Sequence, residues 1–410
     1  MDTTLPDLGS IFLASAQSCS QVLLVCVAGF LAAKLELITT NIQKNLSSLI
    51  INIFMPCFLF SNVASSVTVE TLISLWPIPA FFFIFITIGS GLGLLSGTLL
   101  KLNNVSNTKF VITGIIFNNV TSLSLGLLRG IEKTDAIMIL KWYPDDTPNV
   151  IAKRGISYVL LATLWTNLLR WSLGAYLLKK ETRSLIPQHN FDEITDITEN
   201  DPSKRPVADE ITPLLASQRI LHPYVERLHP VWSRVKTIFK FKFMNPPLYA
   251  ALVALVIVAI PPLKSFLFDK NAPFMPLTQA VEYIGSVSVP LTLLTLGAQL
   301  KNLSISKSKS IAHMIAYVLT CRLIIMPVIG TVMVMLTRDW YLNDPMLWFV
   351  LILMASGPTA VNCMNLAQLT DNFQEEMSAL LFYGYVAAIP MVTFLMMIVL
   401  SHFKEILYFN

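Results

Sequence analysis

Long apolar runs separated by short polar gaps organise this chain. Ten runs approach the roughly 20 residues needed to cross a bilayer as a helix. They lie near 10–34, 44–66, 73–100, 108–129, 155–178, 246–268, 277–300, 309–336, 346–369 and 378–403. Two of them are interrupted by polar, small and helix-breaking residues: FNNVTSLSLGL (Phe117 to Leu127) in the fourth and ASGPTAVNCMNLAQL (Ala355 to Leu369) in the ninth. Hydrocarbon leaves backbone N–H and C=O groups without water, so broken backbone at that depth must be enclosed by protein or line a cavity. Two interrupted segments at corresponding places in two halves of a chain point to the binding site of a transporter.

The runs divide evenly around a polar segment. Residues 1–178 carry five, 246–410 carry five, and 179–245 read as a mostly disordered linker whose end, 225–243, is amphipathic. An odd number of spans per half inserts the second half upside down relative to the first. Pro56 and Pro290 stand 234 residues apart, and Asn119 and Pro358 stand 239 apart. The expected fold is an all-α membrane protein of ten transmembrane helices in two inverted five-helix repeats, with broken helices four and nine crossing.

Composition sharpens this picture. Only 13% of the 410 residues are charged, about half the share of a soluble domain, and the mean hydropathy is +0.64. The first apolar run is too long for a signal peptide and lacks a basic lead, so it reads as a span. The five cysteines, Cys19, Cys26, Cys57, Cys321 and Cys363, all fall within predicted spans and read as packing residues. If the N-terminus faces away from the cytosol, eighteen of the 29 Lys and Arg lie on the cytosolic side and nine on the other. That balance predicts a cytosolic linker and lumenal or extracellular termini. The loop 370–376 opposes the trend with Asp371, Glu375, Glu376 and no cation.

The candidate chemistry sits in the two interrupted spans. Asn118, Asn119, Thr121, Ser122 and Ser124 occupy the first, and Ser356, Gly357, Pro358, Thr359, Asn362 and Asn365 the second. Pro358 lacks an N–H and opens the backbone, while Gly357 permits a sharp turn. Freed amides and a following helix start suit an anion, and Asn, Ser and Thr add directed hydrogen bonds. The alternative is a polar helix–helix contact. Arg322, inside the eighth run, costs at least about 2.5 kcal/mol to insert and must find an interior partner. It reads either as a counter-charge for an anionic substrate or as a bond to opened carbonyls or to Glu282. Arg170 lies nearer a span end and reads as a snorkelling side chain. Pro56 and Pro290 serve as hinges or packing kinks.

Other chemistry finds no motif. No nucleotide-binding loop, nucleophile elbow or His-Glu-x-x-His pattern is present, and no His pair has ligand spacing. No enzyme activity, metal or cofactor is expected, and the modest net charge of +4 gives no reason to expect nucleic acid. An acidic dileucine pattern occurs at 210–215, within the linker.

Six stretches together carry a family resemblance: Ile51–Ala64, Ile115–Leu128, Phe243–Lys264, Val287–Leu300, Cys321–Gly330 and Ser356–Leu369. In them the chain resembles the auxin efflux carrier family, and within it the fungal relatives of plant PIN and PIN-like carriers. The resemblance implies the inverted-repeat architecture shared with bile-acid symporters. It also implies a transport domain moving against a scaffold by alternating access, and a small organic anion, such as an indole-type weak acid, as cargo. Asn118 and Asn119 would form one half of the crossover, and Pro358 with Asn362 the other. Relatives place a proline where this chain has Ser124, so either the fourth span is less sharply broken or the Asn pair opens it. The expected partners are this anion and membrane lipids, with a second copy as a possible homodimer partner. An endoplasmic reticulum or other internal membrane is the expected location. A sodium-coupled organic-anion symporter and a non-transporting receptor are the competing functions.

Overall fold

The computed structural model describes residues 8–66, 68–102, 104–179, 245–269, 272–301 and 309–409. The linker, its amphipathic end and the dileucine pattern lie outside the described residues, apart from Lys179 and Asn245. The described residues are helical with one isolated β-bridge.

Helix α1 (Leu8–Lys34) is followed by α2 (Thr40–Leu49), a π-helical turn at Ile50–Phe54 and α3 (Met55–Ser66). Pro56 is the second residue of α3, just past that turn, where the widened winding accommodates its missing N–H. The short α4 (Val69–Ser74) leads to α5 (Pro77–Leu99), then to α6 (Val105–Ile116) and α7 (Val120–Ile131). Helix α8 (Pro148–Leu169) continues through a π turn at Arg170–Gly174 into α9 (Ala175–Leu177).

The second half contains α10 (Pro246–Ala259), α11 (Pro261–Phe268), α12 (Met275–Ser286) and α13 (Ser288–Leu300). Helix α14 (Lys309–Thr320) joins α15 (Met326–Thr337) through a third π turn, Cys321–Ile325. Then come α16 (Pro345–Ala355), α17 (Cys363–Leu369) and α18 (Gln374–Phe409).

Each predicted run thus contains a helix or a pair of helix pieces. Among the described residues five helices are long and apolar enough to cross a membrane: α2 with α3, α5, α12 with α13, α14 with α15, and α18. The run over 246–268, expected as a span, is long and apolar enough only with α10 and α11 taken together and is bent by 109° between them, a broken span or a re-entrant pair. The Pro261–Pro262 pair explains the bend, because neither residue can donate a helix hydrogen bond and each restricts the residue before it.

The two halves interleave. Helix α1 packs along α13 and α18, α3 against α10 and α12, and α16 against α8 and α15. Glycines set the closest approach: a Cβ on Gly29 would lie 2.1 Å from the Leu294 carbonyl oxygen, and one on Gly297 would lie 1.9 Å from that of Cys26. Small residues let helix backbones approach in an apolar setting that lacks a hydrophobic drive for association. Every residue of α16 is buried, as is α6 from Phe110 to Ile116. The half-helices that lead into the breaks are therefore sheathed in protein, as broken backbone at membrane depth requires.

Candidate functional site

The two breaks meet. Helix α6 stops at Ile116 and α7 begins at Val120, leaving Phe117–Asn119 extended; α16 stops at Ala355 and α17 begins at Cys363. Asn118 and Thr359 pair as an antiparallel bridge. The Asn119 amide donates to the Pro358 carbonyl at 3.0 Å, and the Ala360 amide donates to that of Phe117 at 2.9 Å. Gly357 turns with φ +95°, a conformation L side chains rarely adopt.

Side chains on each crossing segment serve the other half-helix. The Asn118 Nδ2 donates to the Met354 carbonyl, and to that of Ser356 at 3.3 Å. In return the Thr359 hydroxyl donates to the Gly114 carbonyl at 2.8 Å. A helix ends with carbonyls that lack intrahelical partners, and here each crossing segment satisfies those of its neighbour. The Asn119 Nδ2 donates to the Tyr385 hydroxyl on α18. Ser356 turns back on its own helix, its Oγ donating to the Ile352 carbonyl at 2.7 Å.

Both buried arginines converge here, each from a π turn. Such turns concentrate at functional sites. Arg322 donates from Nε to the Gly357 carbonyl (3.2 Å), from Nη1 to Ile115 (3.1 Å) and from Nη2 to Gly357 (3.0 Å) and Ser356 (3.4 Å). Its guanidinium therefore closes the C-terminal ends of α6 and α16 together. Its bonds go to the opened carbonyls, whereas Glu282 is exposed on the protein surface.

Arg170 is corrected. It does not snorkel but is 4% exposed. Its Nη1 donates to Asn167 Oδ1 at 2.9 Å, its Nη2 to the Asn118 carbonyl at 3.3 Å, and its guanidinium lies 5.9 Å from the centre of the Phe117 ring. Among the described residues neither guanidinium forms an ion pair with a carboxylate.

The remaining candidates distribute unevenly. Ser124 is buried within the regular winding of α7, so the Asn pair, upstream of it, opens the fourth run. Thr121 faces α8, its hydroxyl 2.9 Å from that of Thr163. The side chain of Ser122 lies outside what is described. Asn362 is half-buried at the start of α17. Asn365 is fully buried and donates to the Thr292 hydroxyl at 3.2 Å, while its Oδ1 has no hydrogen-bond partner among the described residues. Pro56 and Pro290 sit in neighbouring helices, where the Ser288 hydroxyl is 3.7 Å from the Met55 sulfur. A cavity of about 400 Å³ opens between Gln43, Gln299 and the 371–376 loop, away from the crossing residues. Sequence reasoning missed Tyr385 and Asn167, and misplaced Arg170. The Arg-in-apolar-run signal that singled out Arg322 was also present at Arg170.

The profile of a family described as membrane transport protein matches residues 15–396. The chain belongs to the auxin efflux carrier family of membrane transport proteins. Over 90% of its length it is 28% identical to a transporter of Saccharomyces cerevisiae described as uncharacterised, covering 91% of that protein. PIN-LIKES 7 of Arabidopsis thaliana is 27% identical, with 90% of this chain and 92% of the relative covered. PIN-LIKES 2 of the same plant is 26% identical over 92% of each chain. This carrier-family member is an integral membrane protein, as its long apolar helices require.

Proposed function

We propose that this chain is a secondary carrier that moves a small organic anion, an auxin-like weak acid or related metabolite, by alternating access. The observation that carries the reading is the charge balance at the crossing. Two buried guanidinium groups stand there with no carboxylate partner among the described residues. The C-terminal ends of α6 and α16 offset roughly one of those charges, at about half a charge each, while the starts of α7 and α17 at the same breaks act with the opposite sign, so positive charge is left in excess. A buried excess of that sign favours an anion. Arg322 already spends most of its donors on carbonyls, so it acts through charge more than through contact. Asn119, Thr359 and half-buried Asn362 are the proposed contact residues, with Asn118, Ser122, Ser124 and Ser356 shaping the crossing and Thr121 tying it to α8.

The same observation disfavours sodium coupling through the opened carbonyls. Those of Ile115, Ser356 and Gly357 already accept from Arg322, so a built-in cation stands at these oxygens.

Ten spans in two inverted repeats fit the paired helix starts. Asn104 caps α6 by accepting from the Ser106 amide at 2.9 Å, and Asp344 caps α16 by accepting from that of Met346 at 2.9 Å. Those caps and the crossing breaks keep nearly the same spacing along the chain. The linker is proposed to be cytosolic, the termini lumenal or extracellular, and the membrane internal, the endoplasmic reticulum foremost.

The test is uptake of radiolabelled indole-3-acetate and a panel of other weak acids into proteoliposomes, with and without Na⁺. Wild-type protein is expected to exceed protein-free vesicles for at least one acid, and an Asn119→Ala/Asn362→Ala double variant is expected to fall to background. Uptake equal to protein-free vesicles for every acid would overturn the carrier reading and favour a receptor. Equal uptake by wild type and double variant would overturn the site.

A further inference from the structure

The end of α16 remote from the crossing holds a second cluster of buried charge that anion binding does not use. Asp344 is fully buried and Asp146 is 7% exposed, and both depend on one cation, Arg154 of α8. The guanidinium meets Asp146 with Nη1 at 3.2 and 2.9 Å from its two oxygens, and places Nε 3.0 Å from Asp344 Oδ2. Two carboxylates against one guanidinium leave the cluster one proton short of neutrality. Buried charge is expensive unless it is paired.

The surroundings say which carboxylate takes that proton. Asp146 accepts from the amides of Trp142 at 3.0 Å and Tyr143 at 3.1 Å, and meets Arg154 Nη1 with both of its oxygens. Asp344 has one amide, from Met346, the single Arg154 contact and the Tyr158 hydroxyl at 2.8 Å. Burial would raise Asp146, yet the two amides and Arg154 hold it below the usual carboxylate range. Burial pushes Asp344 above that range against the pull of Tyr158, Arg154 and the Met346 amide, with Asp146 adding to the rise. Tyr158 donates to the carboxylate, and its hydroxyl can rotate to accept from the protonated acid, so the added proton finds a partner.

Three of the other elements packed on α16 bring no buried charge: helices α5 and α15 contain no charged residue, and the one charge of α7, Arg129, is exposed. On α8 the charge besides Arg154, Lys153, is exposed, and the 3₁₀ turn Asp135–Leu140, which also packs on α16, carries a single acidic residue, Asp135, at its first position. Arg338 lies over the Trp348 ring, 6.0 Å from its centre, and pairs with Asp339.

We propose that Asp344, Arg154, Asp146 and Tyr158 form a proton-binding site, in which Asp344 takes one proton from solvent and leaves Arg154 to Asp146 alone. The consequence reaches the crossing along a single helix. Asp344 caps α16, and the far end of that helix presents the Met354 and Ser356 carbonyls to Asn118 and Arg322. Neutralising the cap removes a charge favourable at a helix start and one of the ties between α16 and α8.

Difference infrared spectroscopy of the full-length protein in lipid nanodiscs, titrated from neutral to acid pH, reads the carbonyl band of a protonated carboxyl group directly. Wild type is expected to gain such a band above the ordinary carboxylate range. Asp344→Asn is expected to lack it. Asp146→Asn, which gives Asp344 the arginine to itself, is expected to move its midpoint toward acid by about one pH unit. A band that persists in Asp344→Asn, or a midpoint unmoved by Asp146→Asn, would overturn the proposal, as would the absence of any band above the ordinary range in wild type. Should Asp344→Asn fail to fold, the Asp146→Asn shift decides alone. The readout is independent of any transported solute, so its failure is distinct from failure of the carrier reading.

Discussion

Asn118 and Thr359 face each other across an antiparallel bridge, and each donates a side-chain hydrogen bond to the end of the half-helix that precedes the other. The break in one chain segment is thus stabilised by the break in the other. This reciprocity makes a sharp prediction at Thr359. Thr359→Ser keeps the hydroxyl and is expected to stay near wild type in Tm and uptake. Thr359→Val keeps the shape but leaves the buried Gly114 carbonyl without this donor, at a cost of about 1–3 kcal/mol. Thermal unfolding of both variants in detergent checks the pair, and equal Tm values would show that the bond contributes nothing.

Arg322 separates charge from geometry. Arg322→Gln removes the guanidinium that closes two helix ends, and is expected to lower Tm strongly, since unpartnered buried acceptors cost about 1–3 kcal/mol each. Arg322→Lys keeps the charge but not the fork that reaches Ile115, Ser356 and Gly357 at once. It should recover part of the anion uptake and little of the stability. Uptake and Tm measured on the same preparations distinguish the two contributions.

Much of this site was legible in the sequence, for a physical reason. Asn118–Asn119 and Gly357–Pro358 stand out because membrane-depth backbone tolerates such residues only for cause. The pairing across the crossing was not legible, since neither helical nor strand periodicity records which broken segments meet. The three π turns left no periodic trace either, and one of them carries Arg170 into the interior with Asn167 as its partner. The bend at Pro261–Pro262 was visible in the residues but masked by the unbroken apolar run around it. The Arg154 cluster joins loops from both halves, and a single sequence contains no sign of that contact.

The two acidic groups of that cluster should tilt stability in opposite directions with pH. Asp146 is lowered, so its contribution is complete above the unfolded value and is lost as pH falls through the folded one. Asp344 is raised, so stability declines as pH climbs from the ordinary carboxylate range through its folded value. Asp146→Asn is expected to flatten the acid limb of the Tm–pH curve and, because it also relieves Asp344, to move the limb above it toward acid; Asp344→Asn is expected to flatten that upper limb. Tryptophan fluorescence melts across the acid range would expose a failure, namely an acid limb unchanged by Asp146→Asn or an upper limb unchanged by Asp344→Asn.

Gly357 tests whether the turn at the crossing requires its special backbone. Its φ of +95° disfavours any Cβ, and a Cβ there would also lie 2.9 Å from Leu123 Cδ2 on α7. The two effects separate experimentally. Gly357→Ala is expected to lose about 1–3 kcal/mol through backbone strain plus the contact. Leu123→Ala alone opens a buried space at a cost of about 2–5 kcal/mol. In the double variant the steric part vanishes while the strain remains, so its loss should be smaller than the sum of the single losses by the value of the contact. Strict additivity in a double-mutant cycle of unfolding would mean that backbone conformation, not the approach of α7, fixes this glycine. Full rescue by Leu123→Ala would mean the reverse.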